Sequence, residues 1–232
     1  MRKEDFKEIA ASYGVNLSEE QLAKFSLYCA LLQEWNEKMN LTAITEENEV
    51  YEKHFLDCLL PAKKFDFSNK TLIDLGSGAG FPGLVIALAF PTCKVSVLDA
   101  TEKKFAFLKE AKEKMGLKNV EFCLGRAEEF RKGREKYDIV TSRGFAALRV
   151  FLEVAAPLCK VGGTIIALKG AKADEEMAEA KGIIARTNLT LSDHLSDELP
   201  SGEKREILYF KKKTKTPGRF PRSWGDIKNH PI

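Results

Sequence analysis

One stretch constrains this chain more than any other: Leu72-Ile73-Asp74-Leu75-Gly76-Ser77-Gly78-Ala79-Gly80-Phe81-Pro82-Gly83, an apolar run that ends in an acid and opens into glycines at alternate positions. The apolar run suits a buried parallel strand, and glycines directly after it permit positive φ and let a ligand lie against bare backbone. A fold in which parallel strands alternate with helices follows, with a ligand at a strand end. Spacing narrows the ligand. A dinucleotide turn needs G-x-G-x-x-G with a small third residue, so that a pyrophosphate can sit on the helix N-terminus. Phe81 stands at that third position.

The length of 232 residues allows one α/β domain with a small addition, and two full domains would be cramped. No apolar run approaches the roughly 18 residues that span a bilayer, and the charged start Met1-Arg2-Lys3-Glu4-Asp5 leads into no apolar segment, so a cytoplasmic protein is expected. The five cysteines, Cys29, Cys58, Cys93, Cys123 and Cys159, form no C-x-x-C pair and read as buried small hydrophobes rather than a zinc site or disulfide framework. Net charge is only +3, but eight basic residues lie between Lys204 and Arg222 against the single acid Glu206, which predicts a local cationic surface.

Ser18 and Gln21 form a capping box ahead of Leu22, Phe25, Cys29, Leu32 and Trp35, which repeat at helical spacing. A shorter helix precedes this one. The loop from Asn40 to Thr45 leads to another around Val50 to Leu60, which Pro61 ends. From Thr71 the pattern becomes strands alternating with helices. Strands are expected at Thr71 to Leu75, Lys94 to Asp99, Val120 to Leu124, Tyr137 to Ser142 and Thr164 to Leu168. The helices between them run from Leu84 to Phe90, from Thr101 to Gly116 with Phe105, Leu108 and Met115 inward, and from Ala147 to Leu158. Asp174 to Ala185 reads as a solvent-facing helix, and strands near Leu189 to Ser192 and Ile207 to Lys211 flank a turn at Leu199-Pro200-Ser201-Gly202 that suits an antiparallel hairpin. The division expected is residues 1–66 as an N-terminal helical extension, 67–213 as the core and 214–232 as a basic, irregular tail beside it.

The D-x-G-x-G-x-G form matches the strand-turn-helix that holds S-adenosylmethionine, which carries an adenosine and a charged amino-acid tail but no phosphate. Five parallel strands with a terminal hairpin is the layout of class I methyltransferases: a Rossmann-like, mostly parallel seven-stranded sheet with one antiparallel strand. Ligands of open α/β sheets bind at the carboxyl ends of the strands. Asp99 ends the second strand, where such folds bind ribose hydroxyls, or else caps the following helix. Gly125-Arg126-Ala127-Glu128 follows the third strand, where backbone groups and Glu128 would edge an adenine, or where the next helix simply begins. Arg143, in Thr141-Ser142-Arg143-Gly144, is either a buried ion-pair partner or a contact to substrate or cofactor. Lys169 could meet a phosphate or be solvated. The N-P-P-Y type turn of exocyclic-amine methylation is missing after strand four, and Cys93 and Cys159 precede their strands, at the wrong ends for a pyrimidine nucleophile. A ring nitrogen with an exposed lone pair, such as guanine N7, needs neither device; alignment and charge placement suffice.

Together these residues closely resemble the glucose-inhibited division protein B family (GidB, or RsmG), which methylates guanine N7 in 16S (small-subunit) ribosomal RNA. The match takes in Asn40-Leu41-Thr42-Ala43-Ile44, His54-Phe55-Leu56-Asp57, Asp74 through Gly83, Leu98-Asp99, Lys103-Lys104 with Phe107-Leu108, Arg126-Ala127-Glu128, Ser142-Arg143, Leu168-Lys169-Gly170, and Phe220-Pro221-Arg222 with Gly225. Cys58 and Gly144 depart from it, where serine and alanine are commoner. The resemblance implies S-adenosylmethionine as cofactor, held by Gly76, Gly78, Phe81, Asp99, Ala127, Glu128 and Arg143. It also implies positioning roles for Arg143 and His54 with no general base. His54 and Asp57, one helical turn apart, would face the cleft together, or else tie the N-terminal helices to the sheet. Lys103, Lys104, Lys169, Lys211, Lys212, Arg219 and Arg222 would meet the phosphates of small-subunit RNA, with steep salt dependence. A monomer without a membrane partner is expected. The competing readings are a small-molecule or protein methyltransferase, which the basic cluster disfavours, and an RNA-binding protein without catalysis, which the intact glycines disfavour.

Overall fold

The computed structural model describes residues 1–232. Seven strands form one sheet: β1 (Thr71–Leu75), β2 (Lys94–Asp99), β3 (Val120–Leu124), β4 (Tyr137–Arg143), β5 (Cys159–Lys169), β6 (Leu189–Glu198) and β7 (Lys204–Lys212). Their order is β3-β2-β1-β4-β5-β7-β6. All neighbours are parallel except at β7, which runs antiparallel to both β5 and β6. Strand order therefore reverses between β1 and β4, and their carboxyl ends open a crevice for a ligand. This is the class I methyltransferase layout, hairpin included.

Each sheet face has its own apolar core. The larger joins the helices Phe6–Ser12, Glu19–Lys38 and Gly83–Ala89 to one face, through Phe25, Tyr28, Phe55 and Leu84. The other takes Leu148–Ala155, Lys181–Arg186 and the chain's last residues, through Phe151, Ile183, Phe220 and Ile227. The capping box at Ser18 is present with both of its hydrogen bonds, and all five cysteines are buried and free. No helix is long and apolar enough to cross a membrane.

Three expectations need correction. Pro61 does not stop its helix, because it lies at the start of a 3₁₀ extension, Leu60–Lys63, where a missing N–H costs nothing. The stretch from Asp174 to Ala185 is two short helices, Ala173–Glu179 and Lys181–Arg186, and Ala180 and Ile183 are buried, so it packs one face inward. The tail is not wholly irregular: Ser223 caps a helix at Trp224–Asn229, its hydroxyl accepting from the Asp226 N–H at 3.2 Å.

Candidate active site

The crevice holds two adjoining spaces. The first is a cavity of about 140 Å³ lined by Gly76, Asp99, Gly125, Ala127, Glu128 and Trp224, with Leu98, Ala100, Arg126 and Phe145 completing the wall. Gly78 adopts φ +61°, and a Cβ built there meets nothing within 4 Å, so bare backbone faces open space. Asp99 does not cap the next helix with its side chain, since Thr101 stands at that cap position. Its carboxylate instead accepts from the N–H groups of Gly78 (3.0 Å) and Thr101 (2.8 Å), with the Lys104 ammonium 3.4 Å away.

Beneath the turn, Asp74 is fully buried and one oxygen accepts from the Gly83 N–H at 2.8 Å. Burial pushes its carboxyl up to about 6. The Ser77 hydroxyl works against that rise, but neither it nor the other Asp74 oxygen has a partner in hydrogen-bond geometry. A bare glycine turn, a carboxylate at the rim and unpartnered buried oxygens below fit a ligand with ribose hydroxyls and an ammonium, and S-adenosylmethionine has both.

The second space is an open cleft of about 850 Å³, lined by Lys53, His54, Asp57, Arg143, Lys169 and Arg205 among others. The helical segment carrying His54 is wound as a π turn over Tyr51–Leu56, a geometry concentrated at functional sites. Arg143, at the end of β4, donates to the Lys53 carbonyl (2.7 Å), to Asp57 Oδ2 (3.1 Å) and to His54 Nδ1 (2.9 Å). A guanidinium only donates, so Nδ1 carries the lone pair and Nε2–H donates to Thr42 Oγ1 at 2.8 Å. Burial, reinforced by the charge of Arg143, lowers the imidazole to about 3, and His54 stays neutral. The other Asp57 oxygen accepts from Arg205 Nε at 2.9 Å, so one carboxylate ties β7 to β4.

Of the residues predicted to hold cofactor, Gly76, Asp99, Ala127 and Glu128 meet at the cavity, with Gly78 bonded to Asp99. Phe81 is placed elsewhere. Its ring lies under His54 (centroids 4.4 Å apart), 5.0 Å from the Arg143 guanidinium and 5.6 Å from Tyr28, so it supports the cleft side. Arg143 likewise lines the cleft and not the cavity.

The residues predicted to meet RNA scatter. Lys212 is corrected outright: it is buried, and its ammonium donates to Glu135 Oε1 and to the Ala156 and Cys159 carbonyls. Lys211 pairs in register with Thr164, midway along β5, whereas Glu206 pairs with Lys169 at its end. An antiparallel β7 thus carries the Lys211 end of the basic run away from the crevice. The Arg222 guanidinium is engaged by buried Glu153, and Lys169 by Glu176 and the Ala146 carbonyl. Lys104 faces Asp99, which leaves Lys103 and Arg219 as exposed cations. Sequence reasoning missed Arg205, Thr42 and Trp224. A groove of about 550 Å³ at the opposite end of the sheet, lined by Thr71, Lys94, Val120 and Tyr137, holds none of the predicted residues.

The profile of the GidB family, described as rRNA small subunit methyltransferase G, matches residues 21–197. The chain belongs to this family. Over its full length it is 45% identical to the ribosomal RNA small subunit methyltransferase G of Bacillus cytotoxicus, with 99% of that protein covered. The protein of the same description from Bacillus cereus is 44% identical over the same extent. Family membership makes the chain an S-adenosylmethionine-dependent methyltransferase. Solved structures share its fold at low identity. A SAM-dependent methyltransferase from Aquifex aeolicus superposes with TM-score 0.56 at 19% identity, covering 77% of this chain and 97% of that one. The YcgJ protein of Bacillus subtilis does so with TM-score 0.56 at 15% identity, covering 69% and 100%.

Proposed function

We propose that this GidB-family enzyme methylates N7 of a guanine in small-subunit ribosomal RNA, working as a monomer in the cytoplasm. One observation carries the choice of atom: the cleft offers no free base. His54 has both ring nitrogens engaged, both Asp57 oxygens accept from arginines, Glu176 accepts from Lys169, and Glu203 is paired with Lys53 and Arg205. No carboxylate of the cleft is left without a cation, and the Arg205 and Lys53 hydrogen bonds hold Glu203 below the usual carboxylate range. An exocyclic amine would need a proton removed, whereas N7 has a lone pair in the plane of the ring and loses none. The substrate class is supported by the relatives, which are described as small-subunit ribosomal RNA methyltransferases.

S-adenosylmethionine, when bound, supplies a sulfonium methyl that such a lone pair can take. Gly76, Gly78, Asp99, Ala127 and Glu128 would hold its nucleoside end, and the buried oxygens of Asp74 and Ser77 would answer its ammonium. On the cleft side the chain's task is alignment: Arg143, fixed by His54, Asp57 and the Lys53 carbonyl, presents a guanidinium to the acceptor base without reorganising. Residues 1–66 act in this reading as an extension that walls the cleft, 67–213 as the transfer core and 214–232 as a tail beside it. Lys103 and Arg219 are the exposed cations proposed to meet RNA phosphates.

The test is to incubate the enzyme with methyl-labelled cofactor and small-subunit RNA from cells lacking the gene, then map the modified nucleotide. Label at guanine N7 is expected. Label on an exocyclic amine, or only in protein or small molecules, would overturn the proposal.

A further inference from the structure

We infer that Trp224 forms an aromatic wall of the donor cavity and stacks on the cofactor's adenine, so that the tail is part of the binding site. The inference rests on the donor-site reading above and adds a residue to it.

Trp224 lines the cavity beside Asp99, Ala100, Gly125, Ala127 and Glu128, the ends of β2 and β3 where a nucleoside would lie. It is one of the few large apolar side chains left substantially open to solvent, at 37% exposure. The segment on both sides of it is fastened to the core. Upstream, Arg134 donates to the carbonyls of Phe220 (2.8 Å) and Thr216 (2.6 Å), and Phe220 is buried. Arg222 grips buried Glu153 through Nε and Nη2, both at 2.7 Å, and donates to the His230 carbonyl at 2.9 Å. Downstream, Ser223 caps the helix and Ile227 is buried. A ring carried on a backbone so restrained, yet left about a third open at a cavity mouth, suits a flat partner, because the ordering cost of the segment is met before binding. An adenine presents a π-face to it, and base–aromatic stacking asks only for a ring face in return.

The chain has two tryptophans, so replacing Trp35 by Phe leaves Trp224 as the only indole emitter. In that W35F background, S-adenosylhomocysteine should quench the emission as it binds. By calorimetry, W224A should weaken S-adenosylhomocysteine and 5′-methylthioadenosine alike by roughly tenfold, while W224F stays within about threefold because a ring face remains. The inference is overturned if the ligand binds calorimetrically while Trp224 emission is unmoved, or if folded W224A binds as tightly as its parent; the donor-site reading survives either result. Failure of the parent itself to bind would defeat that reading, and this inference with it.

Discussion

The donor cavity and the acceptor cleft share one crevice and are made by different means. The cavity is walled by strand ends and backbone, with the Asp99 carboxylate already satisfied by two N–H groups. The cleft is made of charged side chains that engage one another, Arg143 with His54 and Asp57, and Asp57 with Arg205. A site built largely on a backbone turn depends first on that turn, with Trp224 and the strand-end carboxylates adding side walls. A site of paired charges fails when any member is lost, since its partners stay buried and unsatisfied.

The sharpest test of that contrast is Arg143→Ala. The variant should fold, because Arg205 still holds Asp57, and it should bind cofactor nearly as well as the parent while turnover falls roughly 100-fold or more. Lysine should restore little, as an ammonium cannot reach three acceptors in a planar fork. Near-normal single-turnover rates would show that Arg143 is only structural.

Two glycines of the turn divide next. A Cβ on Gly80, at φ +96°, would lie 2.5 Å from the Tyr28 hydroxyl and 2.7 Å from Leu84, so Gly80→Ala should cost about 3 kcal/mol of stability in urea unfolding. On Gly78 it would enter open space, so Gly78→Ala should cost only about 1 kcal/mol of stability yet weaken cofactor binding clearly by calorimetry. Equal effects of the two on both readouts would erase the distinction between a packing glycine and a ligand glycine.

The smallest effect is a slope. His54 is lowered to about 3 in the fold by burial and Arg143, against an unfolded value of 6.5. Its contribution to stability is therefore complete above pH 6.5 and is lost progressively as pH falls toward 3. Between about pH 7.5 and 5.5 the parent should lose about 1 kcal/mol more than His54→Gln, measured from denaturant midpoints. Parallel losses would mean that the imidazole takes up its proton without penalty.

The same contrast explains what could be read without coordinates. The glycine turn, Asp99, Ala127 and Glu128 sit at strand ends that hydrophobic pattern locates, so their meeting follows from topology alone. Arg143 and His54 were legible individually; Thr42 lay in the Asn40–Ile44 motif and Arg205 in the basic run, but nothing local said that these remote segments meet them. Burial is the commonest thing a charge count hides. Lys212 looked like part of a cationic surface, yet it continues the alternation of Leu208 and Phe210, which face the core beneath the sheet. That period of two was the available signal. The tail helix was missed because six residues with Gly225 second show no periodicity; its sign was Ser223 three positions before Asp226, a cap pattern.

Lys212 has a chemical consequence of its own. All three of its ammonium hydrogens have acceptors, in Glu135, Ala156 and Cys159, and the amine sits where no reagent can approach. Acylating reagents would consume the solvated lysines first and reach this one only when the β5–β7 seam parts, making its modification a built-in clock for global opening of the enzyme.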